Sequence, residues 1–247
     1  MKTDAVTYRI EDHVAVITLN RAERLNRLDA DLVEGLHQAW KRFMSDDDAR
    51  VAVLAGCDEA FSAGADLKAV PHDLYRGIPG IGVFVDKPII SAVSGWCIGG
   101  GMVLTTMSDM VITADDAKFS YPEVKIAFSG GLITALVCRI PHKIAMELLL
   151  VGGTIDAKRA YEVGYVNAIV PAQDVMSTAM TYARNIAANA PMPVRMLKRF
   201  VDQTLPKGPS EIAGIARSQV DQINASEDWQ EGPRAFFEKR DPVFKGQ

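Results

Sequence analysis

Between Lys87 and Asp109 the chain carries no charged side chain. The first part of this run, Pro88-Ile-Ile-Ser-Ala-Val-Ser94, is flat and partly β-branched, which suits a strand buried on both faces. Gly99, Gly100 and Gly101 follow, and Met102, Val103, Leu104 and Met107 then recur at the spacing of a short packed helix. A membrane span is the other structure that so long an uncharged run could form. One Pro, three Ser and four Gly between Pro88 and Ser108, with a break at Ser94-Gly95, argue against a continuous lipid-facing helix. A strand that runs through glycines into a helix N-terminus leaves backbone N–H groups unpaired and lets a ligand approach them closely. That turn is where an anion, or an oxygen becoming one, would be held, although a glycine triplet also suits close packing of two backbones. No Lys-Ser or Lys-Thr follows the glycines, and Gly95 to Gly101 does not match the G-x-G-x-x-G spacing, so a nucleotide phosphate is not expected there.

The flanking sequence supplies the rest of an α/β core. Val14 to Leu19 and Val51 to Ala55 read as buried strands. Leu28, Leu32, Leu36, Trp40 and Phe43 fall at helical spacing between them, with Asp29 as the cap. Ala60 to Lys68 reads as a turn into a helix start, and Pro71 to Asp86 as an irregular surface loop. Met110 to Ala114 and Ala117 to Ser120 add two short strands. A second glycine turn at Ala127 to Gly131 leads into the apolar run Leu132 to Cys138. Ile140 to Val151 is expected to be a helix closed by Gly152-Gly153, and Asp156 to cap a short one ending at Gly164. Beyond that point only helices are expected: a face of Val175, Ala179, Ala183 and Ile186, then Val194 to Thr204 after a break at Pro191 and Pro193. A further helix carries Ile212, Ala216, Val220 and Ile223, and the last spans Glu231 to Arg240. Strands separated by helices imply mainly parallel pairing.

Charge narrows the partners. A net charge of -4 gives no general affinity for nucleic acid or an acidic membrane, so any basic site must be local. Cys57, Cys97 and Cys138 are scattered among apolar neighbours, and Met1 to Val6 lacks an apolar signal core, so a reduced, cytoplasmic setting is expected. His13, His37, His72 and His142 form no ligand pattern, and no metal is expected.

Taken together and in order, Leu19-Asn-Arg21, Leu25-Asn26, Phe61-Ser-Ala-Gly-Ala-Asp66, Lys87 to Gly95, Gly99-Gly-Gly101, Ser108-Asp109, Phe119 with Pro122-Glu123, Ala157 to Val166 and Phe236-Phe-Glu-Lys-Arg240 resemble the crotonase, or enoyl-CoA hydratase/isomerase, superfamily. The resemblance implies an α/β fold, a crotonase-like spiral of ββα units over residues 1–190. A helical C-terminal trimerisation region would occupy 191–247 and pack against a partner subunit, in a homotrimer or a dimer of trimers. It implies an acyl-CoA thioester as substrate, with coenzyme A entering as part of that substrate and no separate cofactor. The thioester oxygen would sit in an oxyanion hole formed by the N–H groups of Ala65 and Gly100. Arg24, Lys68 and Lys239, the last from a neighbouring subunit, would meet the coenzyme A phosphates.

One departure from the family pattern bears on the chemistry. Hydratases of this superfamily use two glutamates, one two residues after the glycine triplet and one in the Pro-Glu pair; here the second is Glu123, but the first position is Val103. Valine neither orients nor deprotonates water. A single carboxylate suffices for a 1,3 proton shift, so the expected reaction is double-bond isomerisation with Glu123 as sole acid/base. Val103, Ile126 and Phe128 are expected to form an apolar wall that raises its pKa. His72 and Tyr75 would reach the acyl pocket if their loop folds over it, and Ser129 is the one hydroxyl of the second glycine loop. The alternatives are a hydratase with a different water-activating group, or a catalytically poor protein that binds acyl-CoA or, less in keeping with its charge, RNA.

Overall fold

A computed structural model of the chain describes residues 4–128 and 130–247. Its strands divide between two sheets in a regular alternation. The larger sheet contains β1 (Val6–Glu11), β2 (Val14–Leu19), β3 (Val51–Ala55), β5 (Ile89–Val93), β7 (Met110–Ala114) and β10 (Ala168–Val170), in that spatial order. The smaller contains β4 (Ala60–Ser62), β6 (Trp96–Ile98), β8 (Lys118–Ser120) and β9 (Thr154–Asp156). From β3 to β8 each successive strand moves to the other sheet, so every turn of the chain lays one strand in each, and neighbours pair in parallel. Only β1 with β2 and β8 with β9 are antiparallel. β5, whose five residues are all buried, lies inside the larger sheet.

Helix placement follows from patterning and caps. In α1 (Ala30–Ser45) the apolar stripe of Leu32, Leu36, Trp40 and Phe43 is buried, and Asp29 accepts a hydrogen bond from the Leu32 N–H at 2.9 Å. The C-terminal carbonyls of α1 are met by Lys87, whose Nζ donates to the carbonyls of Phe43 and Asp46, each at 2.8 Å. Burial lowers the pKa of that amine. All seven residues of α2 (Gly100–Thr106) are buried, as the uncharged run requires. α3 (His142–Val151) ends on Gly152 at φ +64°, and α4 (Ala157–Glu162) starts under the Asp156 cap.

Several sequence expectations differ from the structure. No helix starts after Ala65; residues 66–73 are turns and bends that lead to a 3-10 helix at Leu74–Gly77. β1 is not foreseen because none of its six residues is buried and it has no continuous apolar run. Beyond Gly164, where only helices are expected, the strand β10 follows, and β9 before α4 is not foreseen either: each is three residues, too short to show a period.

After α5 (Val175–Ala187) come α6 (Pro191–Thr204), α7 (Pro209–Asn224) and α8 (Glu227–Glu238). Pro191 does not break α6 but opens it, where a missing N–H costs nothing. No residue of α6 is fully buried, and charge holds it: Arg195 donates to both oxygens of the buried Asp86 at 2.9 and 3.0 Å, while Lys198 donates to Asp109 at 2.7 Å. α7 folds back on the core of its own chain, with Ser218 Oγ donating to the Gly82 carbonyl at 2.7 Å and Tyr75 donating to Asp221 at 2.6 Å.

Candidate active site

Two turns build one wall of the site. Asn26 is fully buried and its side-chain amide donates to the carbonyls of Ala60 and Phe61, both at 3.2 Å, which pins the end of β4. The Ser62 hydroxyl donates to the Asn26 carbonyl at 2.8 Å and accepts from the Gly64 N–H at 3.1 Å. Leu28 then brackets Ala65: its N–H donates to the Gly64 carbonyl at 2.8 Å, and its carbonyl accepts from the Asp66 N–H at 3.2 Å. Ala65 lies between these two bonds, and its N–H has no acceptor among the described residues.

The second turn is Gly99-Gly100, tied to β8 by the Gly99 N–H donating to the Ser120 carbonyl at 2.9 Å. Gly100 opens α2, so its N–H has no intrahelical acceptor and finds none among the other described residues. The turns touch. A Cβ on Gly64 would lie 3.5 Å from the Gly100 nitrogen, and one on Gly100 would lie 3.8 Å from the Ala65 nitrogen. Two unspent backbone donors therefore sit side by side.

Glu123 begins the 3-10 helix Glu123–Ile126 and is 7% exposed. Its Oε1 faces the Gly99 turn, 3.7 Å from where a Cβ on that residue would be. Its Oε2 accepts a hydrogen bond from the Tyr121 hydroxyl at 2.5 Å. Ala65, Gly100, Val103, Tyr121, Glu123 and Phe128 line one cavity of about 560 Å³, within the usual range for small-molecule sites. Donors beside a buried carboxylate in an apolar recess suit reactions in which the carboxylate moves a proton while negative charge gathers on a carbonyl oxygen.

The sequence model of the enoyl-CoA hydratase/isomerase family matches residues 9–247. The chain belongs to that family. This enoyl-CoA hydratase/isomerase family member is 36% identical to the (E)-benzylidenesuccinyl-CoA hydratase of Thauera aromatica, over 98% of this chain and 99% of the relative. It is also 36% identical to the carnitinyl-CoA dehydratase of Citrobacter koseri, over 94% of each. Among solved structures, the carnitinyl-CoA hydratase from Mycobacterium avium superposes with a TM-score of 0.77 at 32% identity, covering 100% of both chains. The crotonase fold follows from these matches together with the two-sheet spiral.

Other residues singled out in the sequence fall in different places. His72 and Tyr75 line the cavity, so the loop does reach it; Tyr75 is pushed up to about 12 by burial and then by its bond to Asp221, and stays protonated at neutral pH. Ile126 does not belong to the apolar wall expected beside Glu123. It is 48% exposed, because the 3-10 turn after Glu123 carries it outward, and Leu132 is the lining residue instead. Arg24, Lys68 and Lys239 are exposed and do not line the cavity. Arg24 lies 3.4 Å from Asp29, Lys68 follows the Asp66 turn, and Lys239 caps α8 with φ +55°. Ser129 lies outside the described residues.

Sequence reasoning missed two groups of lining residues. Tyr121 stands two residues before Glu123, but no strand period relates them, because Pro122 at φ -87° and ψ 13° turns the chain into the 3-10 helix that Glu123 opens. Ser210, Ala213, Gly214 and Arg217 come from α7, about ninety residues away in sequence from Glu123, and no local signal announces them. Arg217 is the only lysine or arginine among the described lining residues and lies 3.7 Å from Asp221. A larger cavity of about 900 Å³ lies between α6, α7 and the far end of α2, lined by Arg139, Lys198, Asp202 and Lys207, and contains none of the residues singled out for catalysis. Among the described residues no group of three or more His, Cys, Asp or Glu is arranged to hold a metal ion, and no helix is long and apolar enough to cross a membrane.

Proposed function

We propose that this protein moves a double bond along the acyl group of a coenzyme A thioester, with Glu123 as its single acid/base. The thioester oxygen accepts hydrogen bonds from the N–H groups of Ala65 and Gly100. Glu123 removes a proton from carbon, the electron pair spreads onto that oxygen as an enolate, and the same carboxylic acid returns the proton two carbons away. Each such donor typically lowers the barrier by about 3 kcal/mol. What carries this reading is the shared cavity: the two unspent N–H groups and the buried carboxylate line the same space, and Val103 fills the position of a second carboxylate.

A second reading is hydration of a 2-enoyl thioester, favoured by relatives named as hydratases and dehydratases. It needs Glu123 to take a proton from water as the oxygen attacks C3 and to return one to C2, with no second carboxylate to orient the water. Purified protein incubated with 2-enoyl-CoA and 3-enoyl-CoA separately distinguishes the two by hydration or by double-bond migration. Glu123→Ala is expected to abolish either reaction, by a factor of about 10³ or more. Full activity in that variant rejects the assignment.

Lys68, Arg24 and a neighbouring subunit's Lys239, which do not line the acyl cavity, are proposed for the coenzyme A phosphates, where a lysine acts as a point charge. The assembly is proposed to be a homotrimer or a dimer of trimers. Exposed apolar residues support it, among them Leu197 and Phe200 on α6 and Phe236 and Phe237 on α8, the last two about 80% exposed. A reduced, cytoplasmic setting is proposed from the three unpaired cysteines.

A further inference from the structure

We infer that Tyr121 is the positioning residue of this site: its hydroxyl holds Glu123 Oε2, keeps the carboxylate ionised, and turns Oε1 toward the Gly99 turn, where it exchanges a proton with the substrate. The inference rests on the reading of Glu123 as base and adds to it the group that prepares that base.

Four observations carry it. Toward an ionised carboxylate, which has no proton to give, a phenol acts as the donor, and the Tyr121 hydroxyl lies 2.5 Å from Oε2, the length of a charge-assisted bond. Both residues are buried, at 3% and 7% exposure, so this bond forms out of water, where it is strongest. The two carboxylate oxygens point to different neighbours: Oε2 to Tyr121, Oε1 to the Gly99 turn next to the Gly100 donor. Pro122 stands between the two residues, and its fixed φ of -87° removes one freedom from the arrangement.

The bond answers a physical difficulty. Val103, Phe128 and Leu132 make much of the wall apolar, and an apolar wall favours the protonated form of a carboxylic acid, which is useless as a base. A hydrogen bond donated to the charged form opposes that. In the step itself the C–H bond breaks and an Oε1–H bond forms, with the electron pair passing to the thioester oxygen; reprotonation reverses this on another carbon. The phenolic proton stays on Tyr121 throughout.

The test is the pH dependence of Tyr121→Phe, with deuterium uptake at the carbon next to the thioester of butanoyl-CoA, crotonyl-CoA and 3-butenoyl-CoA followed by NMR from about pH 5 to pH 9. Losing the donor is expected to raise the acid limb of the kcat profile by about one pH unit. KM is expected to be unchanged, and the rate at about pH 9 to stay within about twofold of the original. A fluorotyrosine placed at position 121 alone, a stronger donor of nearly the same shape, is expected to move the limb the other way; it also serves if the Phe variant does not fold. An equal loss at every pH, an unmoved limb, or shifts of the same sign in both variants overturns the inference. Glu123→Ala run beside them separates the two ideas: exchange that survives in it overturns the base assignment, whereas exchange lost in it with an unmoved limb in the Tyr121 variants overturns only the role of Tyr121.

Discussion

A methyl group added at Gly64 would stand 2.9 Å from the Ile98 carbonyl oxygen, on a backbone with φ of +84°. Both features oppose any side chain: the conformation costs an L-residue about 1 kcal/mol or more, and the clash is with backbone, which cannot swing away. Gly64 directly precedes the Ala65 N–H, so relief of the clash displaces that donor. Gly64→Ala is therefore expected to lower kcat/KM by a factor of about 10² or more with a smaller change in KM. A variant that keeps full activity on the substrate identified for the parent protein would mean that the Ala65 turn does not hold the reacting oxygen. At this scale the sequence was informative wherever a residue type has few uses. Gly100 and Glu123 are legible because a close backbone approach and a carboxylate next to proline each imply a constraint, whereas Asn26 and Gly64 enter only as members of the family motifs, and their burial and positive φ are seen in the structure. Tyr121 was not legible, since a tyrosine at a strand end usually means core packing, and its 2.5 Å bond to Glu123 is seen in the folded chain.

Helix α8 shows how an element is held when its apolar face finds little to cover it. Glu231 accepts hydrogen bonds from Arg240 and Arg234 and from the Val243 N–H, and these, Arg240 first, hold its carboxyl well below the ordinary glutamate range. A folded-state pKa below the unfolded one stabilises the fold above the ordinary range, and this contribution is lost as pH falls through the depressed value. Glu231→Gln is thus expected to melt at a lower temperature than the parent protein at pH 7, with the gap closing as the pH drops from about 5 toward 3. A gap that is constant over that span would show the network to be without thermodynamic weight. The pairing Glu231 to Arg234 lies at a visible helical spacing, but the return of Arg240 and Val243 depends on the chain reversing after α8. Similarly, Asp29 and Asp156 could be placed as caps from local pattern alone, while the two arginines on Asp86 could not, because α6 and the 79–86 loop meet only in the folded chain.

Across the whole molecule, the alternation of strands between two sheets brings the ends of β4, β6 and β8 together, and with them the turns at Ala65, Gly100 and Glu123. α7 then closes the recess by packing on the loop that carries His72 and Tyr75. The faces of α6 and α8 that remain exposed are proposed to be covered by other copies of the chain, so sedimentation equilibrium is expected to give the mass of three or six chains, and a single-chain mass at micromolar concentration would reject the assembly. What the amino-acid order determined unaided was local: strand and helix types where the apolar period runs long enough, the caps, the glycine turns, and through their order the family. What tertiary structure alone decided was which of those pieces share a cavity, that Ile126 turns outward, that α7 forms part of the wall, and that Tyr121 bonds to Glu123. Local propensity depends on neighbours in the chain, whereas a site is built from segments as far apart as Ala65 and Arg217, whose meeting depends on how every sheet and helix between them packs.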